Sequence, residues 1–305
     1  MNTPLDLVLD GLMTRYRAHV PDVDAIVKAL IKEGAVGSAA DIENDHIAFR
    51  TLGVPHLGIA SLEKVFLHLG YVRRDRFHFA EKKLDAHWYQ PPTERHPRVF
   101  ISELRVGELS AAGQKAVHAY TDTVRADPVD SVDLSDPKAI VTFLHRPLWR
   151  TPTWDDYATL AKESEYAAWT IYNRYYLNHY TIAVHNLPKG LGTLPEFNAF
   201  LERHGFHLND SGGKIKSDPA GKLLQSSTVA ALVDADFDDG QGGTLARRIG
   251  GSYVEFAERK VLDQFAHLSP EQIRREHRRE GFEAANADRI FESTYTAQTQ
   301  RRLGS

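Results

Sequence analysis

Polar and apolar positions alternate through ENDHIAFRTLG, residues 43–53. Side chains of an extended chain point to opposite faces in turn, so Ile47 and Phe49 fall on one face and His46, Ala48 and Arg50 on the other. A strand is predicted here, with its apolar pair toward a core. The other face, carrying an imidazole and a guanidinium, is either solvated or a site. Upstream, Leu5, Leu7, Val8, Leu12 and Met13 recur at helical spacing, and DVDAIVKALIKEG repeats that pattern up to Gly34, which predicts two helices. Downstream, ASLEKVFLHLGY predicts an amphipathic helix begun by Ser61 and ended by Gly70, followed by strands in YVRRDRFHFA, LDAHWYQPP and RVFISELRV.

The same order of elements returns. YTIAVHNLPKGLGTLPEFNAFLERHGF aligns with DHIAFRTLGVPHLGIASLEKVFLHLGY without a gap at an offset of 135, pairing Ile47 with Ile182, Ala48 with Ala183, Leu52 with Leu187 and Gly70 with Gly205. Candidate strands follow in KIKSD, LLQSSTVAALVDADF and GGSYVEFAERKV. The chain therefore reads as two copies of a strand, a helix and three strands, and such a repeat constrains the fold more than any single motif. One catalytic domain spanning 1–305 is expected: N-terminal helices over about 1–40, modules over 41–110 and 177–262, a helical connection over 111–176 and a C-terminal helical cap over 263–305. The connection carries an aromatic stripe, Trp154, Tyr157, Tyr166, Trp169, Tyr172, Tyr175 and Tyr176, which is read as core.

Composition narrows the chemistry. A net charge of −4 without a block of like charge gives no nucleic-acid surface, and no apolar run reaches the ~20 residues of a membrane span. The basic run IRREHRREGF alternates with acids and is read as a solvated helix face. The absence of cysteine excludes disulfides, thiolate ligands and thiol nucleophiles, so any metal is held by His, Asp or Glu. The first residues lack a basic start followed by an apolar stretch and do not form a secretory leader, so a cytoplasmic protein is expected.

A single histidine is more often structural or exposed than a ligand. His46 has a counterpart, however: His179 stands two residues before the repeat equivalent of His46 and so keeps the same strand face. Two strands related by an internal twofold would bring both toward one point. Glu255, between Val254 and Phe256, is an acid inside an apolar strand, a costly place without a cation for partner. Glu258, on the other face, is read as a surface residue. Two imidazoles and one carboxylate leave three open positions on an octahedral ion, which suits non-haem Fe(II).

NDHIAFRTLG, NHYTIAVHNL, LLQSSTVA, YVEFAER and EGFEAANADRIFEST together resemble the signature segments of the 2-oxoadipate dioxygenase/decarboxylase family, in the same order from about Asp41 to Thr294. That resemblance implies an α+β, vicinal oxygen chelate-like fold, with paired βαβββ modules forming a curved sheet around a metal and helices added. It implies an Fe(II) enzyme converting 2-oxoadipate and O2 to 2-hydroxyglutarate and CO2 in lysine catabolism. It assigns His46, His179 and Glu255 to the metal and Arg50 to a substrate carboxylate, as a catalytic residue. His185, Gln225, Ser227 and Asn286 are candidate substrate contacts. The same ligand set accepts Mn, Zn or Ni. Two other readings stay open: another metal dioxygenase of that superfamily, of extradiol or 4-hydroxyphenylpyruvate type, and a metal-free small-molecule binding module.

Overall fold

A computed structural model describes residues 2–303. The first module runs β1 (Asn44–Leu52), a helix Ile59–His68, β2 (Val72–Phe79), β3 (Leu84–Gln90) and β4 (Arg98–Leu104). The second runs β5 (Leu177–Ala183), a helix Leu194–Arg203, β6 (Lys216–Ser217), β7 (Leu223–Ser227), a hairpin of β8 (Leu232–Asp238) with β9 (Thr244–Gly250), and β10 (Tyr253–Arg259). Eight strands form one curled sheet in the order β2-β3-β4-β1-β5-β10-β7-β6.

That order exposes the internal symmetry. In each half the first strand pairs in parallel with the last, β1 with β4 and β5 with β10. The halves meet where β1 runs antiparallel to β5, with His46 opposite Thr181 and Ala48 opposite His179. The fold is thus α+β, two βαβββ modules sharing one sheet, with helices packed around it. The second copy departs from the repeat by the inserted β8–β9 hairpin, which forms a separate two-stranded sheet with one bridge outside it, Asp238 to Thr153. Its apolar side chains Ala235, Phe237 and Ile249 pack on Trp154, Tyr157 and Tyr172. The aromatic stripe is therefore core, but it serves two places. Tyr166 belongs to the main core, while Trp154 and Tyr157 line the hairpin.

Both module helices start against a carboxylate from the last strand of their own module. The first begins at Ile59 rather than Ser61, because Gly58 takes a positive φ of 81° and Glu103 accepts the Ile59 N–H at 2.8 Å. In the second, Thr193 and Glu196 form a capping box, and Glu258 Oε2 accepts the Leu194 N–H at 2.7 Å. Glu258 is therefore buried, not a surface residue: the unsatisfied N–H groups of a helix start supply what a carboxylate needs to be buried.

The basic run also differs from its reading. Residues 270–277 form two short 3-10 turns, not an α-helix. Arg275 donates to the carbonyls of Glu94 and His96, and Arg278 to that of Arg259. Guanidinium groups here satisfy carbonyls left open where strands end, so the segment lies as a strap across the sheet. A helix Ala284–Ile290, a turn Phe291–Thr294 and a helix Thr296–Leu303 complete the cover.

Candidate metal centre and its cover

Three adjacent strands at the seam between the modules bring His46, His179 and Glu255 together. Glu255 on β10 pairs with Thr181 on β5, which pairs with His46 on β1. One ligand atom from each of the three lies within 4.8 Å of the others, and all three residues are buried. His46 Nε2 stands 3.4 Å from Glu255 Oε1, and His179 Nε2 stands 3.0 Å from Glu255 Oε2. Burial alone would raise the Glu255 carboxyl, but the two imidazoles outweigh it and hold the group well below the usual carboxylate range. Burial pulls His46 down, yet Glu255 and Asp45 together leave it raised, while for His179 burial wins and the ring is lowered.

The ring nitrogens away from Glu255 are engaged. His46 Nδ1 lies 2.8 Å from Asp45 Oδ1, and His179 Nδ1 lies 3.0 Å from Asn178 Oδ1. With both Nδ1 atoms turned to oxygen acceptors, both rings present Nε2 to the Glu255 carboxylate, so a divalent cation among the three would meet a nitrogen from each ring and a carboxylate oxygen. The donor set therefore fits a divalent ion, with imidazole and carboxylate ligands and no thiolate.

The remaining candidates divide. Gln225 donates from Nε2 to Glu255 Oε1 at 2.6 Å, and Asn286 donates to Gln225 Oε1 at 3.0 Å, so both steady the carboxylate from behind. Ser227 lies opposite Glu255 on β7, and its hydroxyl is 2.8 Å from that of Ser293 in the cover. His185 is not brought to the triad. β5 ends at Ala183, and a 3-10 turn over Val184–Asn186 breaks the alternation that would have kept His185, the residue 135 positions after Arg50, on the face of His179. It lines a separate cleft of about 550 Å³ with Arg259, Arg275 and Arg278, where burial pushes its imidazole down to about 4.

Arg50 is fully buried on β1 and, among the described residues, forms no ion pair with a carboxylate. Nη1 donates to Thr294 Oγ1 at 2.9 Å and Nη2 to the Phe291 carbonyl at 2.8 Å, while the guanidinium lies 5.1 Å from the ring centres of both Tyr166 and Trp169. Its Nε has no hydrogen-bond partner, nor has the buried hydroxyl of Tyr253, whose ring packs on His179.

Over the triad lie Phe282, Ala287, Ile290 and Phe291, leaving a cavity of only about 20 Å³. Phe282 meets His46 edge-on, ring centres 4.8 Å apart. Sequence reasoning missed Asp45, Asn178 and Phe282. The signal for the first two was present, since an acid or amide directly precedes each histidine, in NDH and LNH. A strand read as strictly alternating sends those residues to the wrong face.

The model of the 2-oxoadipate dioxygenase/decarboxylase family matches residues 8–272. The chain belongs to that family. It is 43% identical over 271 residues to the 2-oxoadipate dioxygenase/decarboxylase, chloroplastic, of Arabidopsis thaliana, covering 85% of this chain and 70% of that protein. The chloroplastic/amyloplastic counterpart of Oryza sativa subsp. japonica is also 43% identical, over 268 residues, covering 85% and 71%. Among solved structures, the hydroxyglutarate synthase of Oryza sativa in complex with 2-oxoadipate superposes with a TM-score of 0.86 at 39% identity, over 96% of this chain and 93% of that one. A glyoxalase-superfamily protein of Ralstonia eutropha JMP134 shares the fold, with a TM-score of 0.74 at 21% identity over 92% and 87%. The relatives correct one expectation. Both carry plastid names, which points away from the cytoplasm. Net charge and the lack of an apolar run cannot separate one aqueous compartment from another.

The cover is fastened by charge. Arg98 pairs with Glu280 through both Nε and Nη2, and Arg259 donates to the carbonyls of Arg279 and Gly281. With the Glu280 side chain 40% exposed, the pair contributes about 1 kcal/mol rather than the several of a dry ion pair. Glu280→Gln is expected to speed amide hydrogen exchange over 279–291 by about fivefold, with the rest of the sheet unchanged. Exchange equal to that of the native protein would show that Arg98–Glu280 does not hold the cover.

Proposed function

We propose that this protein is a 2-oxoadipate dioxygenase/decarboxylase in which His46, His179 and Glu255 hold Fe(II) and Arg50 receives the far carboxylate of the substrate, giving 2-hydroxyglutarate and CO2 as a step of lysine catabolism. Family membership and the 2-oxoadipate complex of the rice relative support the substrate. The observation that carries the site reading is Arg50. A guanidinium wholly out of water with no carboxylate beside it is costly, and it stands on the same strand face as His46. Four residues separate them, roughly 13 Å at about 3.3 Å per residue, a gap that a long side chain leaning back and a six-carbon diacid span together.

Bound at the triad, Fe(II) would supply a Lewis acid for the 2-oxo acid end and the redox chemistry of dioxygen. The chain's own residues do the rest. His179 and His46 present Nε2 while Asn178 and Asp45 hold the rings, and Gln225 with Asn286 fixes the Glu255 carboxylate. Arg50 offers a planar fork to the distal carboxylate, which replaces Phe291 O and Thr294 Oγ1 as its partners and also meets the free Nε and the Tyr253 hydroxyl. Sites that enclose small ligands run to about 300–1,000 Å³. A 20 Å³ space therefore admits the diacid only when the cover lifts. Once closed again, Phe282, Ile290 and Phe291 exclude water from the reacting carbon. An aromatic substrate would give Arg50 no partner, which favours the diacid over a ring-cleaving reaction.

The balance is C6 diacid plus O2 to C5 hydroxy diacid plus CO2, so both oxygen atoms of O2 end in the C5 product. With 18O2 the expected product carries one label in the hydroxyl and one in the newly formed carboxylate, with O2 consumed and CO2 released in equal amounts. Unhydroxylated glutarate as the sole product would overturn the reaction while leaving the family assignment intact.

Metal content after anaerobic Fe(II) loading tests the triad itself. About one ion per chain is expected in the native protein and near none in His46→Ala, His179→Ala or Glu255→Ala. Full occupancy in Glu255→Ala would remove that residue from the site.

A further inference from the structure

We infer that Asp45 is a positioning residue that holds the His46 imidazole as its Nδ1–H tautomer, with Nε2 toward the ligand point, and that the same carboxylate anchors the cover through Arg259 and Arg98. The inference rests on the metal reading above and adds a residue that the alternation of β1 would place elsewhere.

The β1–β5 register shows how Asp45 arrives there. Asn44 pairs with Ile182 and His46 with Thr181, so Asp45 is the extra residue of a β-bulge. A bulge turns two successive side chains toward one side of the sheet, where regular pleating would send them apart. The facing strand repeats the device. Ala48 pairs with His179 and Phe49 with Leu177, leaving Asn178 as the extra residue, and Asn178 Oδ1 meets His179 Nδ1. Each histidine is therefore preceded by a bulged acid or amide that accepts its Nδ1 proton.

Asp45 differs from Asn178 in what else it holds. Oδ1 accepts from His46 Nδ1 at 2.8 Å and from Arg259 Nη2 at 2.9 Å. Oδ2 accepts from Arg259 Nε at 2.7 Å and from Arg98 Nη1 at 3.3 Å. A carboxylate gripped by two guanidinium groups is an acceptor only, so the proton between it and His46 belongs to the ring, and the lone pair is left on Nε2. The two arginines then reach onward. Arg259 Nη1 donates to the carbonyls of Arg279 and Gly281, and Arg98 Nη2 donates to Glu280 Oε2 at 2.8 Å. The segment they hold leads directly to Phe282, which packs on His46. One carboxylate thus orients a ligand and seats the residue that covers it.

Two measurements test this. In Zn(II)-loaded protein labelled with 15N-histidine, long-range proton–nitrogen spectra of the His46 ring, assigned by its loss in His46→Gln, are expected to show a protonated Nδ1 and a metal-shifted Nε2. An unprotonated Nδ1 in the Zn(II)-loaded protein overturns the inference, and because that spectrum needs no substitution at Asp45, it decides even if the Asp45 variants fail to fold. Zn(II) affinity by chelator competition is the second. Removing an acceptor that orients a ligating histidine typically weakens affinity about 10- to 100-fold, so Asp45→Ala is expected in that range. Asp45→Asn, which supplies the kind of acceptor Asn178 already is, is expected within about tenfold of native, although both variants lose the ion pairs and so speed exchange at 279–282 alike. Native affinity in Asp45→Ala, or equal losses in Ala and Asn, overturns the inference. If His179→Ala binds Zn(II) as tightly as the native chain, it is the triad reading that falls.

Discussion

Two opposite charges are buried on one face of the β1–β5–β10 seam without pairing to each other: the Glu255 carboxylate and the Arg50 guanidinium, each at most 1% exposed. Taking such groups out of water costs several kcal/mol apiece unless partners are built around them. Much of the architecture near the seam supplies those partners. Glu255 has two imidazoles in front and the Gln225–Asn286 pair behind. Arg50 has only a backbone carbonyl and a hydroxyl from the cover, with three aromatic rings around it. A divalent ion would complete the partners of the carboxylate, and under the proposed function the far acid of a chelating diacid would complete those of the guanidinium.

The internal twofold makes the asymmetry legible. Arg98 pairs with His46 on β4 and β1 as Glu255 pairs with Thr181 on β10 and β5, so the two modules put opposite charges at equivalent places. One module gives the carboxylate of the centre. The other turns the equivalent position into an arginine that looks away from it, toward Asp45 and Glu280, and holds the cover. The same position of the duplicated unit thus faces the centre in one half and the cover in the other.

The sequence carried the repeat because each copy keeps a strand, a helix and a closing glycine at one offset, and that repeat lifted His46 and His179 above the other histidines. Glu255 stood out as an acid in an apolar strand. What stayed hidden depends on geometry that a period of two cannot express. Bulges bring Asp45 and Asn178 beside the histidines, and the early end of β5 carries His185 away. Arg50 was singled out by its strand face, yet its partners lie more than 240 residues along the chain in the cover. IRREHRREGF shows the same limit, since Arg275 and Arg278 answer carbonyls of the β3–β4 loop and of β10 that lie far off in the chain.

The most direct measurement of the account compares Arg50→Ala with the native protein on 2-oxoadipate and on 2-oxohexanoate, which keeps the chelating end and lacks the distal acid. Leaving a buried charge partner unpaired costs on the order of 2 to 5 kcal/mol, so catalytic efficiency on 2-oxoadipate is expected to fall at least tenfold. The analogue, already poor with the native enzyme, is expected to lose little more. Equal losses on both substrates would contradict the account, because Arg50 would then be holding the cover or the metal centre and not the substrate.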